Sequence, residues 1–201
     1  MTPPAPDNCL PDTHIKEGER FLIESRGLDT LVSKLRENNL LRAGVRDNTD
    51  FLPLEFSVVR LDRPDMTQGS GSCLYEDAMY LFKVYDHGRP LGHLRVENGF
   101  LEVVPEFERP TPLYFHKSST GGMRIGHRTP DGPLVVAAVY PGMPLSFESP
   151  KSGVNHQVFN LIPLWRDINK ESERKLMLPT SLSLPFVRFL YFFLSASYSS
   201  S

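Results

Sequence analysis

Apolar and polar residues alternate most regularly between Asp77 and Phe107, and the elements predicted there set the reading of the whole chain. DAMYLFKVYD (77–86), LGHLRVE (91–97) and FLEVVPEF (100–107) are separated by His-Gly-Arg-Pro (87–90) and by Asn98-Gly99. Asn-Gly between two alternating runs predicts a two-residue hairpin, because both central residues of a type I′ turn need positive φ. In the first run Tyr80, Phe82 and Val84 share one face and Met79, Leu81, Lys83 and Tyr85 the other, which predicts a strand covered on both sides. In the second, Leu94 and Val96 oppose Arg89, Leu91, His93, Arg95 and Glu97, one dry face against one polar face.

TPLYFHK, MRIGHR, PLVVAAVYP (133–141) and HQVFNLIPLW (156–165) continue the style, and 133–141, apolar without alternation, is expected to be the most buried strand. FLPLEFSVVRL (51–61) is the expected first strand. Short strands at this spacing predict a mainly β fold, an antiparallel β-sandwich or barrel-like domain over residues 50–165. No internal repeat shows at a fixed period.

The flanks read differently. Residues 1–12 hold four prolines and are expected to form a disordered leader. Residues 13–44 predict a helical hairpin. Ile15, Phe21, Leu22 and Ile23 lie in a first helix ending near Gly27; Asp29 then acts as N-cap to a second with Leu28, Leu31, Val32 and Leu35 on one side. Residues 166–175 predict a short charged helix. Residues 176–201 form an atypical apolar tail whose one charge is Arg188. Its apolar centre, Phe186–Leu194, is far shorter than the roughly 20 residues of a membrane span. Two origins fit it: an apolar element of the fold, or residues outside the fold translated from an unspliced, pyrimidine-rich intron, a product of alternative splicing.

Composition narrows the function classes. The net charge is −2 with no basic segment, so no nucleic-acid partner is expected. Two cysteines, Cys9 and Cys73, make no disulfide framework and no thiolate metal site, and no Asn-x-Ser/Thr acceptor occurs. With no signal-peptide pattern, these favour a cytoplasmic or nuclear protein.

Candidate chemistry is sparse. Gly-Ser-Gly-Ser (69–72) lacks the lysine of a phosphate-binding loop, so it reads as a linker. Cys73 with a distant histidine is not a nucleophile pair, and the serines of SSTGG (118–122) read as turn residues. Of the six histidines, His87, His93, His116, His127 and His156 fall in the β region. None makes a His-x-His or His-Glu-x-x-His pair, so neither a metal nor any other cofactor is expected. The cationic set Arg89, His93, Arg95, Arg124 and Arg128 alternates along two strands. If those strands are neighbours, it forms one positive surface able to hold carboxylates. The function expected is a non-enzymatic β-sandwich module that binds a protein partner. The alternative is a small-molecule-binding or metal-dependent β-barrel enzyme using His93, His116 and His127.

Overall fold

Thirteen strands and one 3-10 turn account for the regular structure of the computed structural model, which describes Leu10 and residues 14–61 and 72–164. The strands are β1 (Phe21–Ser25), β2 (Thr30–Leu35), β3 (Leu41–Ala43), β4 (Phe51–Pro53), β5 (Glu55–Arg60), β6 (Met79–Asp86), β7 (Arg89–Glu97), β8 (Phe100–Val104), β9 (Leu113–Lys117), β10 (Met123–Thr129), β11 (Gly132–Ala137), β12 (Ser146–Glu148) and β13 (Phe159–Pro163). The expected leader 1–12 (Leu10 apart), the helix 166–175 and the tail 176–201 lie outside the described residues.

Every pairing is antiparallel, and the sheet closes on itself. A ring of 9 strands runs β1-β5-β6-β7-β8-β12-β11-β10-β13 and back to β1. β9 pairs with β6 and with β10, which closes a smaller ring, β1-β5-β6-β9-β10-β13, inside the larger one. The hairpins β2–β3, β7–β8 and β11–β12 leave this inner ring one after another. The bridges Leu40↔Glu102, Arg42↔Pro144 and Ser146↔Phe100 tie the three to one another. The chain is thus three successive units of barrel strand, hairpin and barrel strand, the connectivity of a β-trefoil. The sandwich option is replaced by a closed barrel.

Alternation within the strands fills the interior. Phe21, Phe56, Val58, Tyr80, Phe82, Val84, Leu113, Phe115, Ile125 and Phe159 belong to one buried cluster. Phe115 packs its ring 5.3 Å from that of Phe82 and 5.6 Å from that of Tyr80. Replacing such a ring by alanine costs on the order of 3–5 kcal/mol. Met79 and Leu81, on the other face of β6, are only half-buried, so that strand is dry on one side rather than two. Val135 to Ala138 are buried without a break, as expected, but Val139 and Tyr140 then turn into solvent.

The helical hairpin expected over residues 13–44 is corrected: this segment forms β1, β2 and β3. Phe21, Leu22 and Ile23 are consecutive and all buried, because β1 sits among β13, β2 and β5 and has no solvent face. Asp29 caps no helix. It takes φ 54° in the β1–β2 turn, a left-handed conformation that Asp tolerates through its short polar side chain. The expected strand 51–61 is divided at Leu54, with β4 pairing to β2 and β5 pairing to β1 and β6.

The hairpin at Asn98-Gly99 forms as expected, with Glu97 opposite Phe100 and φ values of 50° and 81°. Nothing lies within 4 Å of where a Gly99 side chain would begin, so only backbone strain opposes substitution there. Gly99→Val should therefore lower stability by about 1–3 kcal/mol, and Gly99→Asn by less, since Asn enters the left-handed region more readily. Denaturant midpoints of the three proteins check this; equal midpoints would remove the turn from the list of fold determinants.

Candidate functional site

The residues with the most chemistry meet on the outer face of the barrel where β9, β10 and β11 lie side by side. Leu113 and Phe115 point inward, which sends Tyr114 and His116 outward; on β10, Met123 and Ile125 point inward and Arg124, Gly126 and Arg128 outward. Register then sets the neighbours: His116 is opposite Arg124, Tyr114 opposite Gly126, Gly126 opposite Val135, and Arg128 opposite Pro133. β6 pairs Met79 with Tyr114, so Asp77, whose amide donates to the Phe115 carbonyl at 2.8 Å, falls beside His116. Asp77, in the turn ahead of β6, makes one row with His116 on β9 and Arg124 on β10.

These side chains line a cleft of about 450 Å³, within the usual range for ligand pockets. Its floor exists because residue 126 is glycine. A Cβ there would lie 2.2 Å from Cζ of Tyr114, so the bare backbone lets the phenol lie across β10. The Arg128 guanidinium stacks 5.4 Å from the Tyr114 ring centroid and reaches the Asp77 carbonyl at 3.4 Å. Arg124 donates from Nη2 to the Lys151 carbonyl, while its Nε is buried with no hydrogen-bond partner. Neither arginine pairs with a carboxylate among the described residues. Burial, and secondarily the Asp77 carboxylate, raise the Tyr114 pKa against the opposing charge of Arg128, so the phenol remains a hydrogen-bond donor at neutral pH. At the cleft's edge Nδ1 of His116 lies 3.1 Å from Oε1 of Glu76 and 3.4 Å from Oδ1 of Asp77.

The other cations singled out in the sequence sit elsewhere. Arg89, His93 and Arg95 are on β7, separated from Arg124 and Arg128 on β10 by β6 and β9, so the two sets are two surfaces. Arg95 is enclosed by acids: Nε and Nη2 donate to Glu102 at 2.8 and 2.6 Å, Nη1 to Glu108 at 2.6 Å, and Glu97 lies 3.0 Å from Nε. The Glu102 hydrogen bond, against the opposing effect of burial and with the charges of Glu102, Glu97 and Glu108 added, holds its pKa above the ordinary arginine value. Arg89 is exposed opposite Asp86.

The histidines do not converge. His116 faces outward, whereas His127 shares a strand face with Ile125 and meets Phe147 edge-on at 6.1 Å between centroids. His93, on β7, is opposite Lys83 and Val104. His156 is 3.2 Å from Glu148 and His87 is 2.6 Å from Asp86. Cys73 is disulfide-bonded, so it carries no thiolate nucleophile, and the expectation that the cysteines make no disulfide framework is corrected at this position. Ser118 of SSTGG closes the turn, its amide donating to the Gly122 carbonyl at 3.1 Å.

Sequence reading found Arg124 and Arg128 but not Glu76, Asp77 or Tyr114. The available signal was the Glu-Asp pair two residues before a strand, together with the outward parity of Tyr114 and His116.

Two titrating groups away from the cleft give stability a pH profile with a definite sign. His93 has its pKa lowered below 6.5 by burial and by the Lys83 charge, against the opposing charge of Glu106. Its neutral form is the one the fold accepts, so its contribution is complete above about pH 6.5 and is lost as pH falls below that value. Burial would raise the Glu148 pKa, but the His156 hydrogen bond, the Lys151 charge and the Gln157 hydrogen bond together hold it below 4.5. That contribution is complete above 4.5 and disappears on further acidification. Melting temperature should therefore fall in two steps as pH is lowered, and His93→Leu should flatten the first. A first step unchanged in that variant would assign it to another group.

No protein-family model matches the chain, and no curated protein does.

Proposed function

We propose that the chain is a non-enzymatic β-barrel module that binds an acidic segment of a protein partner across the outer face of β9, β10 and β11. The observation that supports it is the contrast between two sets of arginines. Arg95 is already neutralised by Glu97, Glu102 and Glu108. Arg124 and Arg128 each use only Nη2 on a main-chain carbonyl, and Arg128 also stacks on the Tyr114 ring, within an open cleft. Guanidinium groups so placed retain donors for carboxylates, and a protonated phenol between them adds another. The alternative, a barrel enzyme built on His93, His116 and His127, draws no support from histidines that lie on different strands and faces.

A fluorescent peptide rich in Glu and Asp tests the reading by anisotropy. The wild-type chain should bind it with an affinity that falls as salt is raised. Arg124→Glu/Arg128→Glu should lose about tenfold or more, the size expected where charge-assisted hydrogen bonds are replaced by repulsion. Arg95→Glu should keep the peptide affinity and melt at a lower temperature, because it would place a fourth carboxylate among three. Equal binding by wild type and the β10 double variant, or no binding by wild type, would end this proposal.

A further inference from the structure

Glu76 and Asp77 are consecutive, and in a regular strand their side chains would point to opposite faces. They do not, because Asp77 takes φ 58°, which breaks the alternation just ahead of β6 and aims both carboxylates at the ring of His116. The three potential ligand atoms all lie within 4.8 Å of one another. We propose that Glu76, Asp77 and Nδ1 of His116 form a binding site for a divalent transition metal of the zinc type, with further coordination positions open to the cleft.

The distances carry the argument. A tetrahedral ion with metal–ligand bonds of about 2.0–2.1 Å separates its ligands by roughly 3.3 Å. The imidazole nitrogen lies 3.1 Å from one carboxylate oxygen and 3.4 Å from the other. Both nitrogen–oxygen separations therefore match the ion, and the two carboxylate oxygens, within 4.8 Å of each other, need only close on it by side-chain rotation.

Charge points the same way. A proton on Nδ1 can be shared by only one of the two carboxylates at a time, whereas a divalent cation neutralises both. One nitrogen and two oxygen donors suit zinc, manganese or cobalt, and the imidazole argues against calcium and magnesium, which take oxygen. The Lys117 amide donates to Oε1 of Glu76 at 2.9 Å and fixes that carboxylate, the kind of outer contact that orients metal ligands. Asp77 and His116 also line the cleft, so a bound ion would be reachable from it. The site shares the cleft with the peptide-binding proposal but uses different ligating residues, none of them one of the two arginines, so zinc titration and peptide anisotropy test the two separately.

The sequence had suggested no metal because it offers no local histidine pair. These ligands come instead from one loop and one distant strand brought into register. Isothermal titration of untagged, metal-stripped full-length protein with zinc chloride tests the site. Cobalt absorption provides a second readout, sensitive to coordination by nitrogen and oxygen. One zinc per chain is expected, with affinity reduced at least tenfold in His116→Ala and in Asp77→Asn and unchanged in His93→Ala and His127→Ala. Asp77→Asn keeps a residue that tolerates left-handed backbone, so it decides the matter even if His116→Ala folds poorly. The proposal is overturned by an absence of binding at submillimolar zinc, or by zinc binding that Asp77→Asn leaves intact.

Discussion

The ladder between β1 and β13 is the constraint on which the rest of the structure depends. Phe21 to Ser25 pair in continuous register with Pro163 to Phe159, joining the start of the barrel to its end. An open sheet of this size would leave two rows of unpaired amides and carbonyls, and closure removes both. Closure also fixes which side chains are inside. Once β1 and β13 are joined, Phe21, Phe56, Phe82, Phe115 and Phe159 face a common interior, and the residues between them must face out. The cleft follows directly, since Tyr114, His116, Arg124 and Arg128 are the outward members of strands whose inward members are Leu113, Phe115, Met123 and Ile125.

How much of this could be read from the chain depended on the range of each determinant. The Asn98-Gly99 hairpin was legible because its cause, two residues able to take positive φ, is local. The period-two strands β6 to β8 were legible for the same reason. Residues 13–44 were misread because β1 pairs with strands near residues 56 and 161, and nothing nearby signals either partner. Phe21-Leu22-Ile23 lacks the alternation of a half-buried strand, and short strands broken by charged turns imitate helical spacing. Asp29 serves an N-cap or a left-handed turn equally well, and only tertiary pairing decides between them. The three strand–hairpin–strand units likewise show no sequence period, because their hairpin connections differ. Asn98-Gly99 joins β7 to β8, whereas Ala138 to Leu145 separate β11 from β12. What the three units share is pairing, which any suitably alternating sequence satisfies.

The candidate site was half-legible for a reason that the arginines make concrete. Arg95 and Arg124 look alike in the sequence, each outward on an alternating strand with histidine two or three residues away. Their fates differ through the residue across the ladder. Arg95 is opposite Glu102, and the β8 side of that pair brings Glu108 within reach as well, so the guanidinium becomes a structural cross-link. Arg124 is opposite His116, and Arg128 is opposite Pro133, neither of which can neutralise it. The carboxylates nearest that row, Glu76 and Asp77, are turned toward the imidazole instead. One left-handed residue, Asp77, thus gathers the acidic groups into a corner, and among the described residues the β10 arginines have no acidic partner. The acidic half of the cleft is the consequence of a single backbone irregularity, and an Asp77 substitution that restored regular strand geometry would alter it.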